Sequence, residues 1–372
     1  MFDTMFSMYS VTDHLLAQNR EPGAIVGPIA DLMGTIYNGL FNFIYSFSET
    51  GSLILAIIVF TLLVKILLLP LSYKQVKGTY RMQKLQPELN KIKAKYADKN
   101  DEESKRKMSF EMQEFQRENG ASMMAGCLPM LIQLPILYAL FYIFRQPYNY
   151  VEVLSTIYNS ITQAVIDIPA VTRVEMLKPV ILAKEITVDV SIFEQVLDLV
   201  RQMTSADWSI ALSSVGETFS GLNGLLAQKN AIEYFFGFNL LTNAGLSFPG
   251  ILIPIFAGVT TFLSSYLMQK RQQATNPAGT DDMSANMAKS MNIFMPIMMG
   301  VITISAPIAL GIYWSLSNLF SIFQTWGLNK IVESKDKKGE LKFKEKKQKE
   351  DKTQKATIVD KNKYTNHKGA DK

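Results

Sequence analysis

The sequence predicts an all-α polytopic membrane protein: five transmembrane helices with a cytoplasmic helical hairpin. Three observations carry this. Apolar runs of about twenty residues recur along the chain, and about twenty helical residues cover the 30 Å hydrocarbon core. The charges are segregated, so the 48% hydrophobic and 19% charged composition averages unlike regions; of 38 Lys and Arg, 12 fall in 73–124 and 15 in 327–372. The residues of enzyme and metal chemistry are sparse. One cysteine, Cys127, excludes an internal disulfide and a cysteine zinc site, and two histidines near opposite ends, His14 and His367, argue against a histidine metal site. No phosphate-binding glycine loop or nucleophile elbow is present. The expectation is a protein that is not an enzyme and carries neither cofactor nor metal.

Residues 1–51 are read as an extracytoplasmic segment. Within them Ile29, Leu32, Met33, Ile36, Leu40, Phe43, Ile44 and Phe47 form a helical stripe. Two readings stay open for it: a helix lying on the outer membrane surface, or one packed on the outer loop. Met1–Ser10 has no basic region and no apolar run of signal-peptide type, so no secretory signal is expected.

Span 1 covers 52–72 and holds one charge, Lys65. Residues 73–124 are the cytoplasmic hairpin. Span 2 covers 125–145, and 146–248 form an extracytoplasmic insert. Span 3 covers 249–268, followed by a cytoplasmic loop over 269–285. Met291–Trp326 is uncharged and too long for one span, and Ser305-Ala306-Pro307 breaks it. Spans 4 and 5 are therefore placed at 286–305 and 307–326, with a basic disordered cytoplasmic tail over 327–372. The short loops on one side are rich in Lys and Arg, which puts the N-terminus outside and the C-terminus in the cytoplasm.

The hairpin reads as two charged helices. Pro87 suits the first turn of one, with Leu85, Leu89, Ile92 and Tyr96 as its apolar stripe. Asn100 or Asp101 caps the second, which presents Met108, Met112 and Phe115 and stops at Gly120. The charged remainder is either a solvated spacer or a docking arm for a partner or anionic lipid. The insert contains a helical stripe (Phe193, Val196, Leu197, Val200, Met203) and an alternating stretch (Ile186, Val188, Val190, Ile192), and is expected to be mostly helical.

Lys65 is the most informative residue. A charge at a helix centre costs about 2.5–3.5 kcal/mol on insertion scales. Thr61 shares its helix face one turn earlier. Gln133 lies mid-span in span 2, and span 5 offers Tyr313, Trp314, Ser317 and Asn318, with Ser321 and Thr325 further along the stripe. If these faces converge, they line a hydrated cavity holding one positive charge. The competing readings are plain: Lys65 snorkels to the interface, Gln133 and Asn318 are interhelical hydrogen-bonding glue, and Tyr313 and Trp314 are packing.

Several strings resemble one family. Val59–Gln75 (VFTLLVKILLLPLSYKQ), Met82–Tyr96 (MQKLQPELNKIKAKY), Gly126–Phe144 (GCLPMLIQLPILYALFYIF) and Phe294–Gln324 (FMPIMMGVITISAPIALGIYWSLSNLFSIFQ) are similar, in order, to the core of the YidC membrane protein insertases. The resemblance implies an insertase and chaperone that passes hydrophobic segments of nascent proteins into the bacterial cytoplasmic membrane, alone or beside the Sec translocon. It implies a hydrophilic groove open to the cytoplasm within the five spans, and a greasy slide on spans 2 and 4. The groove charge falls on Lys65, where the family usually has Arg. Thr61 and Trp314 align with substrate-contacting positions and Gln133 with a polar groove position. About the 146–248 insert the resemblance is silent. The tail and hairpin are readable as contacts for ribosomal RNA or anionic lipids, or as a solubilising element that fixes topology. The rival function is a small-solute transporter or channel using Lys65.

Overall fold

Nearly all regular structure in the computed structural model is helical; it describes residues 26–97, 101–119, 128–215, 219–273 and 283–341. In chain order the helices are α1 (Val26–Tyr45), α2 (Ser52–Leu67), α3 (Leu69–Lys95), α4 (Glu102–Glu118), α5 (Leu128–Arg145), α6 (Glu152–Ile166), α7 (Ala170–Ala183), α8 (Phe193–Gln202), α9 (Ser205–Val215) and α10 (Ser220–Glu233). A two-residue hairpin follows, β1 (Tyr234–Phe235) antiparallel to β2 (Phe238–Asn239), and then α11 (Leu252–Gln273), α12 (Met283–Ile304) and α13 (Ile308–Lys337). The chain forms two compact units, one from residues 1–73 and 128–327, the other from 74–127 and 328–372.

The first unit is organised by an aromatic cluster. Tyr37 of α1 meets Phe60 of α2 and Phe144 of α5 edge to face, at centroid distances of 5.5 and 5.6 Å, and Phe144 in turn meets Tyr313 of α13 at 6.2 Å. Such pairs add about 0.5–1.5 kcal/mol each beyond their burial. The buried face of α1 is Ala30, Met33, Gly34, Tyr37 and Phe41. This face is rotated from the stripe read in the sequence: Leu32, Ile36, Phe43 and Phe47 stay exposed. The small residues explain it. Gly34 lies against the Tyr150 ring, a close approach that a larger side chain would block.

The described residues of 146–248 are mostly helical. In α8, Val196, Leu197 and Val200 are buried, Met203 follows them into the core, and Phe193 packs at its margin. The alternating stretch is not a strand. Ile186, Val188 and Val190 pack on the core from an irregular segment, which satisfies the apolar side chains without a partner strand.

The uncharged run of the last two helices is broken at Ser305-Ala306-Pro307, with α12 ending at Ile304 and α13 starting at Ile308. Helix ends carry unpaired backbone groups, and residues 240–245 supply their partners. The Ile308 and Ala309 amides donate to the carbonyls of Thr242 (2.9 Å) and Leu240 (2.8 Å). The Ala244 and Gly245 amides donate to the carbonyls of Ala306 (3.1 Å) and Ile304 (2.9 Å). Gly250 sits against the Ala244 carbonyl oxygen, where a Cβ would overlap it. Gly250→Ala therefore pushes this segment off the α12–α13 turn. The expected loss is about 1–3 kcal/mol, read as a lowered thermal midpoint, with faster amide exchange at Ile308 and Ala309.

In the second unit α4 is tied to the end of α3. Lys95 of α3 pairs with Glu111 of α4 at 2.9 Å, and the Tyr96 hydroxyl donates to the same carboxylate at 2.8 Å. Of the two candidate caps, Asp101 caps α4, accepting from the Ser104 amide at 2.8 Å; Asn100 and Gly120 lie outside the described residues. Two expectations are corrected. Pro87 does not open a helix: it lies inside α3, which is continuous from Leu69, the helix tolerating the one hydrogen bond a proline cannot make. The tail does not begin as coil at Gly327: α13 continues to Lys337, because Leu328 and Val332 are buried and Asp336 is tied to Lys84 and Tyr80 of α3. Those hydrogen bonds, Lys84 first, hold the Asp336 carboxyl below its usual range.

Among the described residues no single helix is long and apolar enough to cross a membrane; α2 and α3 meet the requirement together as a bent pair. The break at Leu68 comes two residues before Pro70, which has no amide for the Ile66 carbonyl. Shorter apolar helical stretches are Leu134–Arg145, Leu252–Met268 and Ile293–Ile304.

Candidate functional site

Lys65 is the one charge of α2 and lies in its last turn, where the carbonyl end of the helix favours a cation. The side chain is half-buried, and its ammonium donates to Ser321 Oγ of α13 at 2.9 Å. Ser321 Oγ donates in turn to the Ser317 carbonyl at 2.8 Å. Among the described residues no carboxylate pairs with Lys65. An ammonium has three donors and a full charge, so this one keeps capacity for an anion.

Ser321 also lines a cavity of about 300 Å³ between α11 and α13. The other lining residues are mainly apolar, among them Leu267, Met268, Ile322, Phe323 and Trp326. Phe323 and Trp326 are 69% and 52% exposed. One serine thus links a half-buried cation to an open apolar surface.

One turn before Ser317, a polar knot joins α13 to α11. Trp314 Nε1 donates to Thr261 Oγ1 at 2.8 Å. The Asn318 amide meets the same hydroxyl at 2.9 Å; with its oxygen turned to this side, as the donors around it require, it also accepts from Trp314 Nε1 (3.1 Å) and the Thr261 amide (3.3 Å). Thr260 and Thr261 are buried, and each returns a hydrogen bond to its own helix at the Ala257 carbonyl.

The residues singled out in the sequence therefore separate. Lys65 and Ser317 meet through Ser321. Trp314 and Asn318 meet on Thr261. Tyr313 lies in the apolar core, 1% exposed beside Phe144. Thr61 is also buried and donates to the Ile57 carbonyl of its own helix at 2.6 Å. Gln133 belongs to α5, and its side chain lies outside what is described. Thr260 and Thr261 were not picked out in the sequence. Their signal was a polar pair at the centre of an otherwise apolar run, PIFAGVTTFLSSYLM.

Apolar helices thus hold a half-buried lysine and an interhelical polar knot, a polar site in an apolar helical body. The chain belongs to the 60Kd inner membrane protein family, whose model matches residues 43–337. It is a bacterial inner-membrane protein. It is 27% identical over 325 residues to the membrane protein insertase YidC of Clostridium perfringens, covering 87% of this chain and 98% of that one. It is 28% identical over 302 residues to the membrane protein insertase YidC 1 of Lactococcus lactis, covering 81% and 77% of the two chains. A shorter match, 46% over 118 residues, links it to the YidC insertase of Fusobacterium nucleatum, covering 30% and 55%.

Proposed function

We infer that this chain is a membrane protein insertase that passes hydrophobic segments of nascent proteins into the bacterial inner membrane. The observation that carries the mechanism is the shared Ser321: it holds the Lys65 ammonium and lines the apolar cavity of α11 and α13. A substrate segment with an acidic flank and an apolar body has both needs met in one place. The flank pairs with Lys65, where partial desolvation makes a charge pair count for more than in water. The apolar body passes over exposed side chains such as Phe323 and Trp326, then partitions into lipid. Asn318 and Trp314 fix α13 against α11 and so hold Ser317 and Ser321 at the site. The step needs no bond to be made or broken.

In this reading five spans place the N-terminus outside and the C-terminus in the cytoplasm, and the groove opens to the cytoplasm. The exposed Leu32, Ile36 and Phe43 of α1, and Phe47 just after it, suit the outer membrane surface. The Sec translocon, the ribosome and anionic lipids are partners, the last two through the basic hairpin and tail.

The test is complementation. A host depleted of its own insertase, and supplied with this chain, should again insert a small single-span substrate, scored by protease access to the substrate's outer flank. No rescue by a chain that reaches the membrane, together with ion flux through the purified protein, would support the transporter reading instead.

A further inference from the structure

A second cavity, of about 890 Å³, lies in the outer insert, well apart in sequence from the Lys65 site. Its walls come from the end of α5, the turn at Pro147–Asn149, α6, the segment after α7, α8 and the residues just after it, α10 and the residues around β2. Four basic side chains line it: Arg145, Lys184, Arg201 and Lys229. The convergence is unexpected from the composition. Residues 146–248 carry ten acidic and five basic residues, yet three of those five bases reach this one cavity.

Their partners show what is left over. Lys229 is spent: it is 2% exposed and pairs with Glu233 at 2.8 Å. Lys184 pairs with Asp207 at 3.1 Å. Arg201 stacks on Tyr148, its guanidinium carbon 4.2 Å from the ring centroid, and meets Asp198 at 3.2 Å, a carboxylate that is 60% exposed. The Arg201 Nε is buried and makes no hydrogen bond among the described residues. Arg145 lies over the Phe141 ring and has no carboxylate partner among the described residues. Two guanidiniums with spare donors therefore face a roomy, polar-walled cavity, each oriented by an aromatic ring. Guanidinium donors arranged in this way match carboxylates.

We propose that this cavity binds an acidic peptide segment, through carboxylates paired to Arg145 and Arg201. It rests on the insertase reading only for the source of that segment, the outer flank of a chain being inserted. On a subdomain of net negative charge, an arriving acidic flank is repelled by most of the surface, and this cavity offers it a complementary seat. The volume accommodates several side chains, and Gln146, Gln202, Thr242 and Asn243 offer hydrogen bonds to a peptide backbone.

The test uses full-length protein in phosphatidylcholine nanodiscs, with a photoreactive residue at Gln202 and labelled hexaglutamate as probe. A crosslink from position 202 reads this cavity and not the cations of the hairpin or tail. Hexaglutamate should crosslink in a saturable, salt-sensitive way, and hexaglutamine should not. Arg145→Gln with Arg201→Gln should raise the half-saturating concentration about tenfold, the loss expected for one charge-assisted hydrogen bond. Asp198→Asn should lower it, a gain that misfolding cannot imitate. Equal crosslinking by hexaglutamine, or indifference to all three substitutions, would overturn the site. Loss of the crosslink on adding phosphatidylglycerol would reassign the cavity to lipid headgroups. The readout involves no insertion step. A chain that captures the peptide but inserts no substrate overturns the insertase reading alone, and the reverse outcome overturns this site alone.

Discussion

Lys65→Glu should sharply reduce insertion of substrates with acidic outer flanks, while Lys65→Arg should preserve it. The Lys65 ammonium is half-buried, held by Ser321 at 2.9 Å, with no carboxylate partner among the described residues. At an effective dielectric of about 20, two unit charges 4 Å apart interact by about 4 kcal/mol. Reversing the charge turns that attraction into repulsion. Even after heavy screening by solvent, the inserted fraction should fall at least about tenfold, since about 1.4 kcal/mol suffices for that. Lys65→Ala should fall between, losing attraction without adding repulsion. Arginine keeps the charge, and its fork can still donate to Ser321. A substrate with a neutral flank is the internal control and should respond little to any of the three. The measurement is protease protection of pulse-labelled substrates in depleted cells. Equal insertion of the acidic-flank substrate by Lys65→Glu and the unaltered chain would remove the electrostatic role.

The same site shows what could be read from residue order. Lys65 announced itself because a charge in an apolar run is costly enough to need a reason. The break at Ser305-Ala306-Pro307 was legible because proline and small residues interrupt helices locally. The α8 stripe was legible because one buried face repeats at the helical period. The face of α1 was not, because apolar residues lie on more than one side of that helix. The Tyr150 ring against Gly34 comes from 116 positions further along, so only the tertiary contact decides which side is buried. Likewise Pro87 carries a helix-start signal that the packing of α3 overrides, and the end of α13 reads as tail until Val332 is seen at 0% exposure. Trp314, Asn318 and Thr261 could be suspected as polar groups in apolar spans, but their meeting depends on which helices are neighbours. The convergence of Arg145, Lys184, Arg201 and Lys229 had no sequence signature, because spacings between positions 145 and 229 carry no period.

Lys229→Met should destabilise the 146–248 segment by about 3–5 kcal/mol, the usual loss when one member of a buried ion pair is removed. Lys229 and Glu233 are 2% and 1% exposed and lie one turn apart on α10, 2.8 Å from each other. The order, lysine before glutamate, is the weaker one for a surface helix pair, so burial rather than helix propensity sets the interaction. Glu233 also accepts from the Tyr158 hydroxyl at 2.6 Å and from Asn239 Nδ2 at 3.2 Å. Burial, and then the Glu233 charge, push the Tyr158 hydroxyl well above its usual range, so it stays a donor at neutral pH. Without Lys229 the carboxylate keeps two neutral donors but loses its counter-charge in a dry site. Lys229→Met combined with Glu233→Gln removes both charges and keeps an acceptor for Tyr158, so it should recover most of the loss. A double-mutant cycle on thermal midpoints of the full-length protein measures this coupling. Lys229→Met within about 0.5 kcal/mol of the unaltered chain, the range of ordinary surface changes, would show the pair to be dispensable. The effect should also travel. The Leu240 amide donates to the Glu233 carbonyl at 2.9 Å, and the Leu240 carbonyl accepts from the Ala309 amide at the start of α13. Loosening α10 at Glu233 therefore frees the segment that caps the turn between α12 and α13. Amide exchange at Ile308 and Ala309 should rise in Lys229→Met and return toward normal in the double variant, making the buried pair of the insert a support for the helix that carries Ser321.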